Sequence, residues 1–179
     1  ILRGIAGSGK RLSLELGGKA ANIVFEDAPL DQAIEGIVNG IFFNQGHVCC
    51  AGSRLLVQES VYDEVVDRLK TRLGTLRLGD PLDKNTDIGA INSKEQLERI
   101  RELSDIGEAE GAERWSAPCV IPENGFWFAP TIFDNLSTSS RIAAPNQTFP
   151  RREIVRARCF CCLVNPRAAG LNRHCKASA

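Results

Sequence analysis

NIVFEDAPLDQAIEGIVNGIFFNQGHVCCAGSRLLVQ, residues 22–58, holds two short apolar runs with a helical pattern between them. Asn22 to Phe25 reads as a short strand. From Leu30 the apolar positions Leu30, Ala33, Ile34, Ile37, Val38, Ile41 and Phe42 recur at intervals of three and four, with Asp27 and Pro29 ahead of them as cap and first-turn signals. That spacing predicts an amphipathic helix ending near Asn44 to Gly46. Ser53 to Gln58 is the next strand candidate. Strand, helix and strand in this order predict an α/β domain with a mainly parallel sheet flanked by helices.

The flanks extend the alternation. Upstream, Leu12 to Leu16 alternates apolar and polar residues and stops at Gly17-Gly18, which predicts a further strand ending in a turn. Downstream, Val61, Val65, Val66, Leu69, Leu73 and Leu76 mark a second helix. A turn-rich stretch from Gly79 to Asn85 follows. Leu97, Ile100, Leu103 and Ile106 mark a third helix, and Gly125 to Phe133 a late strand containing Pro130. At 179 residues the chain has the size of one ordinary domain. It opens on Ile1 without a basic and apolar leader, so a fragment or processed piece, intracellular and cytoplasmic, is expected.

Net charge is zero, from 22 basic and 22 acidic residues, which shows no nucleic-acid or membrane signature. The balance conceals a split. Residues 144–179 carry a net +6, leaving −6 on residues 1–143, and four of the seven cysteines (Cys159, Cys161, Cys162 and Cys175) lie in that last stretch. We therefore read 1–143 as one domain and 144–179 as a basic, cysteine-rich and irregular tail, disordered for the most part. Its C-x-C-C run followed by His174-Cys175 lacks the C-x2-C spacing of a zinc site, so no metal is expected. With only Phe149 and Phe160 as aromatics it offers no stacking platform for nucleic acid.

Three stretches could carry chemistry. Gly4 to Arg11 nearly matches a phosphate-binding loop, but Arg11 stands where a hydroxyl belongs and no apolar strand precedes Gly4. A glycine-rich connection is the better reading. Glu15, inside LELGGK (14–19), is a carboxylate on a mostly apolar strand entering a Gly-Gly turn. Partial burial there would raise its pKa toward that of a general base, whereas composition alone favours a solvent-facing side chain. Cys49, inside FFNQGHVCCAGSR (42–54), precedes a small-residue run whose backbone amides could approach a substrate. It is either a nucleophile or, with Cys50, a buried and inert thiol.

LELGGK, followed by FNQG-x-x-C with Cys49 lying 34 residues beyond Glu15, resembles the paired glutamate and cysteine signatures of the NAD(P)-dependent aldehyde dehydrogenase family. The likeness runs from about Ile1 to Ala143 and includes FEDAPLDQA, AGSRLLVQ and GFWFAPTIF; the wording is nearest the long, two-module family-sixteen branch. The resemblance implies Cys49 as nucleophile and Glu15 as general base, with a thioester intermediate and NAD or NADP as hydride acceptor. It further implies that Leu16 and Gly17 border the nicotinamide, that Gln96 and Arg99 approach the cofactor ribose, and that an aldehyde is the substrate. Cys50 is the neighbour of the nucleophile. A plain exposed helix face is the alternative for Gln96 and Arg99.

The departures are as specific as the matches. His47 stands where the family signature has Gln or Glu, and a solvated loop histidine is expected. After SRIA (140–143) the family's glutamate-rich segment is replaced by APNQTFPRREIVRARCFCC, as a frame change or alternative splice would leave it. The family's carboxy-terminal pairing strand is not recognisable, which puts the family-type oligomer in doubt. Weak or absent turnover by the fragment is expected. The rival reading is a non-enzymatic interaction protein or pseudoenzyme that docks a partner through the basic tail.

Overall fold

A computed structural model describes residues 1–14, 20–136 and 140–142, together with the backbone of 157–162. In chain order the elements are α1 (Leu2–Ile5), β1 (Ala21–Val24), α2 (Leu30–Phe42), β2 (Arg54–Gln58), α3 (Tyr62–Leu73), α4 (Lys94–Ala109), β3 (Glu113–Ser116), β4 (Thr131–Asp134) and β5 (Ala157–Cys162).

The strand–helix–strand unit forms as the apolar spacing requires. β1 and β2 are parallel, with Ala21 opposite Arg54 and Val24 opposite Val57, and α2 makes the crossover. Ile34, Ile37, Val38, Ile41 and Phe42 of α2 are buried, as are Val65, Val66, Leu69 and Leu73 of α3. Both helices share one core with Leu55 and Val57 of β2, which are fully enclosed. On the outside, Arg72 Nε meets Glu35 at 2.7 Å, and Arg68 bridges Asp31 and Glu64. Exposed pairs of this kind contribute only about 0–1 kcal/mol each, so apolar burial sets how α2 lies on α3.

Residue parity on β4 defines the second layer. Ile132 joins the α2–α3 core, while Phe133 packs with Leu103 of α4, Ala112 and Ile142. Successive strand residues point to opposite faces, so α4 lies across the sheet from α2 and α3. Gly107 of α4 permits this approach: a Cβ there would come within 2.5 Å of Ile142 Cδ1 and 3.3 Å of the Phe133 ring.

The sheet order is β1-β2-β5-β4-β3. The parallel arrangement expected for the sheet holds for β1 and β2; the pairings β2–β5, β5–β4 and β4–β3 are antiparallel, so the sheet is mixed. The physical reason is connectivity. The helix α2 carries the chain back across the sheet to give parallel neighbours, whereas β3 returns to β4 by a loop as an antiparallel neighbour. Within the stretch read as a tail, the backbone of Ala157–Cys162 lies between β2 and β4, with Leu55 opposite Phe160 and Ile132 opposite Cys162. The other residues of 144–179 lie outside the described residues.

Three further differences concern the chain's margins. Leu12 to Leu14 carries no strand, and both leucines are exposed; the remainder of that expected strand lies outside the described residues. Gly4 to Arg11 is the end of one helical turn followed by bends at Gly7 (φ 77°) and Gly9 (φ 69°), in keeping with a glycine-rich connection. Ser140 and Arg141 are anchored by Glu110 at the end of α4. Its carboxylate accepts from Ser140 Oγ (2.7 Å), Arg141 N (2.9 Å) and Arg141 Nε (2.5 Å). Those bonds, led by the Arg141 guanidinium and then the Ser140 hydroxyl, hold the Glu110 carboxyl down to about 2.

Candidate active site

The loop between α2 and β2 begins with an abrupt stop to the helix. Asn44 (φ 49°, ψ 41°), Gln45 (φ 53°, ψ 29°) and Gly46 (φ 70°) are all left-handed in succession. Glycine accepts that region readily and Asn tolerates it, but Gln does not favour it, so the turn stores strain that its surroundings must offset. His47 N–H donates to Asn44 O at 3.0 Å, and Asn44 Nδ2 donates to His47 O at 3.4 Å, closing the turn. With its carboxamide oriented to satisfy both ends, Gln45 accepts from Gly89 N–H and donates to Asn44 O, each at 3.0 Å. The turn-rich segment after α3 thus braces the loop.

Cys49 and Cys50 follow as free, exposed thiols at the crest of the loop. The alternative of two buried, inert cysteines is excluded by their exposure. Ala51, Gly52 and Ser53 then return the chain to the interior and are buried. Asn22 of β1 donates from Nδ2 to Gly52 O at 3.0 Å, and Arg54 N–H donates to Ala20 O at 3.2 Å. The rear of the cysteine loop is therefore tied to β1, the strand that follows the LELGGK segment in the chain.

His47 corrects the sequence reading. It is half-buried rather than solvated, with Nδ1 3.3 Å from Asn44 O and Nε2 3.3 Å from Gln96 Nε2. The neutral tautomer protonated at Nδ1 satisfies both contacts, donating to Asn44 and accepting from Gln96. Gln96 is fixed by the start of α4, where Ser93 is the N-cap and accepts from Gln96 N–H at 3.2 Å. The adjacent Glu95 carboxyl is held below its usual value by its own backbone N–H and then by the Ser93 hydroxyl.

The structure therefore brings Gln96 to the cysteine loop, and Arg99 stands one turn along the same helix. Both are half-buried, not a fully exposed face. Arg99 Nη1 donates to Glu102 at 2.5 Å, in an exposed pair that contributes only about 0–1 kcal/mol. An amide and a guanidinium one turn apart place several N–H donors on one face of the start of α4. Glu15, Leu16 and Gly17 lie outside the described residues. Among the described residues no cluster of His, Cys, Asp and Glu could hold a metal ion, and no helix is long and apolar enough to cross a membrane.

Sequence reasoning did not find the left-handed turn, the Gln45–Gly89 brace, the Asn22–Gly52 tie or the His47–Gln96 contact. Each joins residues far apart in sequence or depends on a backbone conformation, and only the Asn-Gln-Gly triplet carries a local signal for it.

The model of the aldehyde dehydrogenase family matches residues 1–149. The chain belongs to the aldehyde dehydrogenase family. Human retinal dehydrogenase 2 is 44% identical over 147 residues, which is 82% of this chain and 28% of that protein. The NAD-dependent aldehyde dehydrogenase of Sinorhizobium meliloti is similar in structure, with a TM-score of 0.72 and 40% identity over 79% of this chain and 29% of that one. The NAD+ complex of an aldehyde dehydrogenase from Bacillus cereus gives a TM-score of 0.70 and 36% identity over 78% of this chain and 28% of its own. The chain thus spans less than a third of the length of these family members.

Proposed function

We propose that this chain is the cysteine-bearing part of an NAD(P)-dependent aldehyde dehydrogenase, and that Cys49 holds the substrate covalently while an aldehyde is oxidised to a carboxylic acid. One observation supports this most: Cys49 is an exposed free thiol on a loop braced at both ends, inside the family's cysteine signature. The cysteine sulfur attacks the carbonyl carbon, and the backbone N–H of Cys49 stabilises the developing oxyanion. NAD(P), when bound, accepts the hydride. Gln96 and Arg99 hold the cofactor ribose from the first turns of α4. The thioester left on Cys49 is hydrolysed by water whose proton passes to Glu15. For these 179 residues alone, turnover with cofactor is slow or absent, because binding energy for the cofactor must come from more surface than Gln96 and Arg99 present.

Acylation by an activated ester isolates the covalent step from the cofactor. With p-nitrophenyl acetate, one equivalent of nitrophenolate is released in a burst, and the acetyl group, trapped by acid quench within the burst, maps to Cys49. Cys49→Ser abolishes both, and Cys50→Ser leaves both in place. An acetyl group on Cys50, or no burst at all, would overturn the reading.

A further inference from the structure

We propose that Gln96, acting through His47, is a positioning residue for Cys49: it locks the left-handed turn that aims the cysteine loop. The inference rests on the reading of Cys49 as the nucleophile and adds to it the means by which the thiol is held. Three consecutive left-handed residues, two of them not glycine, persist only where neighbouring groups over-determine them. The bonds within the turn close it but do not fix its direction relative to the sheet. That direction comes from outside, through Gln45 to Gly89 and through His47 to Gln96.

The Gln96 contact is the stiffer of the two because of what stands behind it. Gly89 belongs to a turn-rich loop, whereas Gln96 sits in α4, whose Leu97 and Ile100 are buried beside it and whose first turn is capped by Ser93. The path from the interior to the thiol is thus short: the α4 core, the Gln96 carboxamide, the His47 ring, then two residues to Cys49. Gly52 and Asn22 fix the loop at its other end. An amide carries two N–H groups and a carbonyl, so the contact to His47 uses one of three and leaves Gln96 able to meet a ribose as well. Position 47 also departs from the family signature. A Gln there would offer a carbonyl to Gln96 and an N–H to Asn44 O, the same two roles the imidazole fills.

Cys50 supplies an internal reference, being an exposed thiol on the same loop. The full chain is treated with iodoacetamide near neutral pH, and the labelling rates at Cys49 and Cys50 are read from the same digest by mass spectrometry. Wild type should label Cys49 in preference. Gln96→Ala should lower the ratio of Cys49 to Cys50 by about two- to tenfold, the span that one neutral hydrogen bond commands. His47→Ala removes the contact from the other side and should give the same fall, so the test survives if either variant folds poorly. His47→Gln should restore the wild-type ratio. General loosening of the fold would also draw the two rates together, so the Tm of each variant is read alongside, and a fall in the ratio at wild-type Tm, restored in His47→Gln, marks the positioning role. A wild-type preference that persists in Gln96→Ala or His47→Ala overturns the positioning role and leaves Cys49 as nucleophile. Equal labelling in wild type removes both.

Discussion

Gly52, three residues beyond Cys49, has almost no room for a side chain. A Cβ on Gly52 would lie 2.3 Å from Asn22 Nδ2, 2.6 Å from its Cγ and 2.7 Å from its Oδ1. Gly52→Ala must therefore displace the Asn22 carboxamide, which is the group that donates to Gly52 O at 3.0 Å. Asn22 is short, half-buried and held on β1, so it can swing away only by giving up that bond. Losing one such bond costs about 0.5–1.5 kcal/mol, and moving a side chain off its preferred rotamer adds about 0.5–1.5 kcal/mol. The expected loss is about 1–3 kcal/mol, which in a chain of this size lowers Tm by roughly 2–12 °C. Circular dichroism melts of wild type, Gly52→Ala, Asn22→Ala and the double variant test the mechanism. Asn22→Ala opens the space that the new methyl group needs, so the double variant should lose less than the two single losses combined, by about 0.5 kcal/mol or more. Strict additivity, or a Gly52→Ala melt within a degree of wild type, would refute the reasoning.

Two other groups give independent checks. Ser104 is fully enclosed in α4, and its hydroxyl has no hydrogen-bond partner among the described residues. Ser104→Ala should stabilise the chain by about 1 kcal/mol, through relief of an unsatisfied hydroxyl and better helix propensity, and a fall in Tm would contradict this. Glu110 has a folded value of about 2 against an ordinary 4.5. A depressed carboxylate value means that anchorage of residues 140–142 is fully present above about pH 4.5 and is lost as pH falls toward about 2. Carboxyl carbon shifts of Glu110 followed by NMR should show a midpoint near the lower value. A midpoint near 4.5 would mean that the Arg141 and Ser140 bonds do not hold in solution.

The helices were the most legible part of the sequence. α2, α3 and α4 each carry a sustained three-and-four apolar spacing, and each buries most of the residues that spacing marks, while Leu30, Ala33 and Ile106 are half-buried. β3 was missed because Glu113-Arg114-Trp115-Ser116 is short, polar and at the edge of the sheet, where burial leaves no imprint on composition. β5 was missed because its neighbours β2 and β4 are remote in sequence, and Arg and Cys in the surrounding stretch dominate its appearance. Leu12 to Leu14 shows the reverse case: the residues alternate, but both leucines are exposed and no strand forms over these three described residues. At the site, the thiol and its loop were legible from a motif. The left-handed turn was not, because it depends on the brace from Gly89, and neither was the half-buried state of His47, which depends on Gln96 lying 49 residues away.

The most direct test of the account is the lifetime of the acyl group on Cys49. A carboxylate at position 15 that activates water beside the thioester should speed deacylation by about 100- to 10,000-fold, the usual range for a positioned general base. Intact-mass spectrometry of acetylated wild type and Glu15→Gln measures both lifetimes. Rapid loss of the acetyl group in wild type and a long-lived adduct in Glu15→Gln is the predicted result. Equal lifetimes would show that the carboxylate and the thiol do not act at one place, and would contradict the account at its centre.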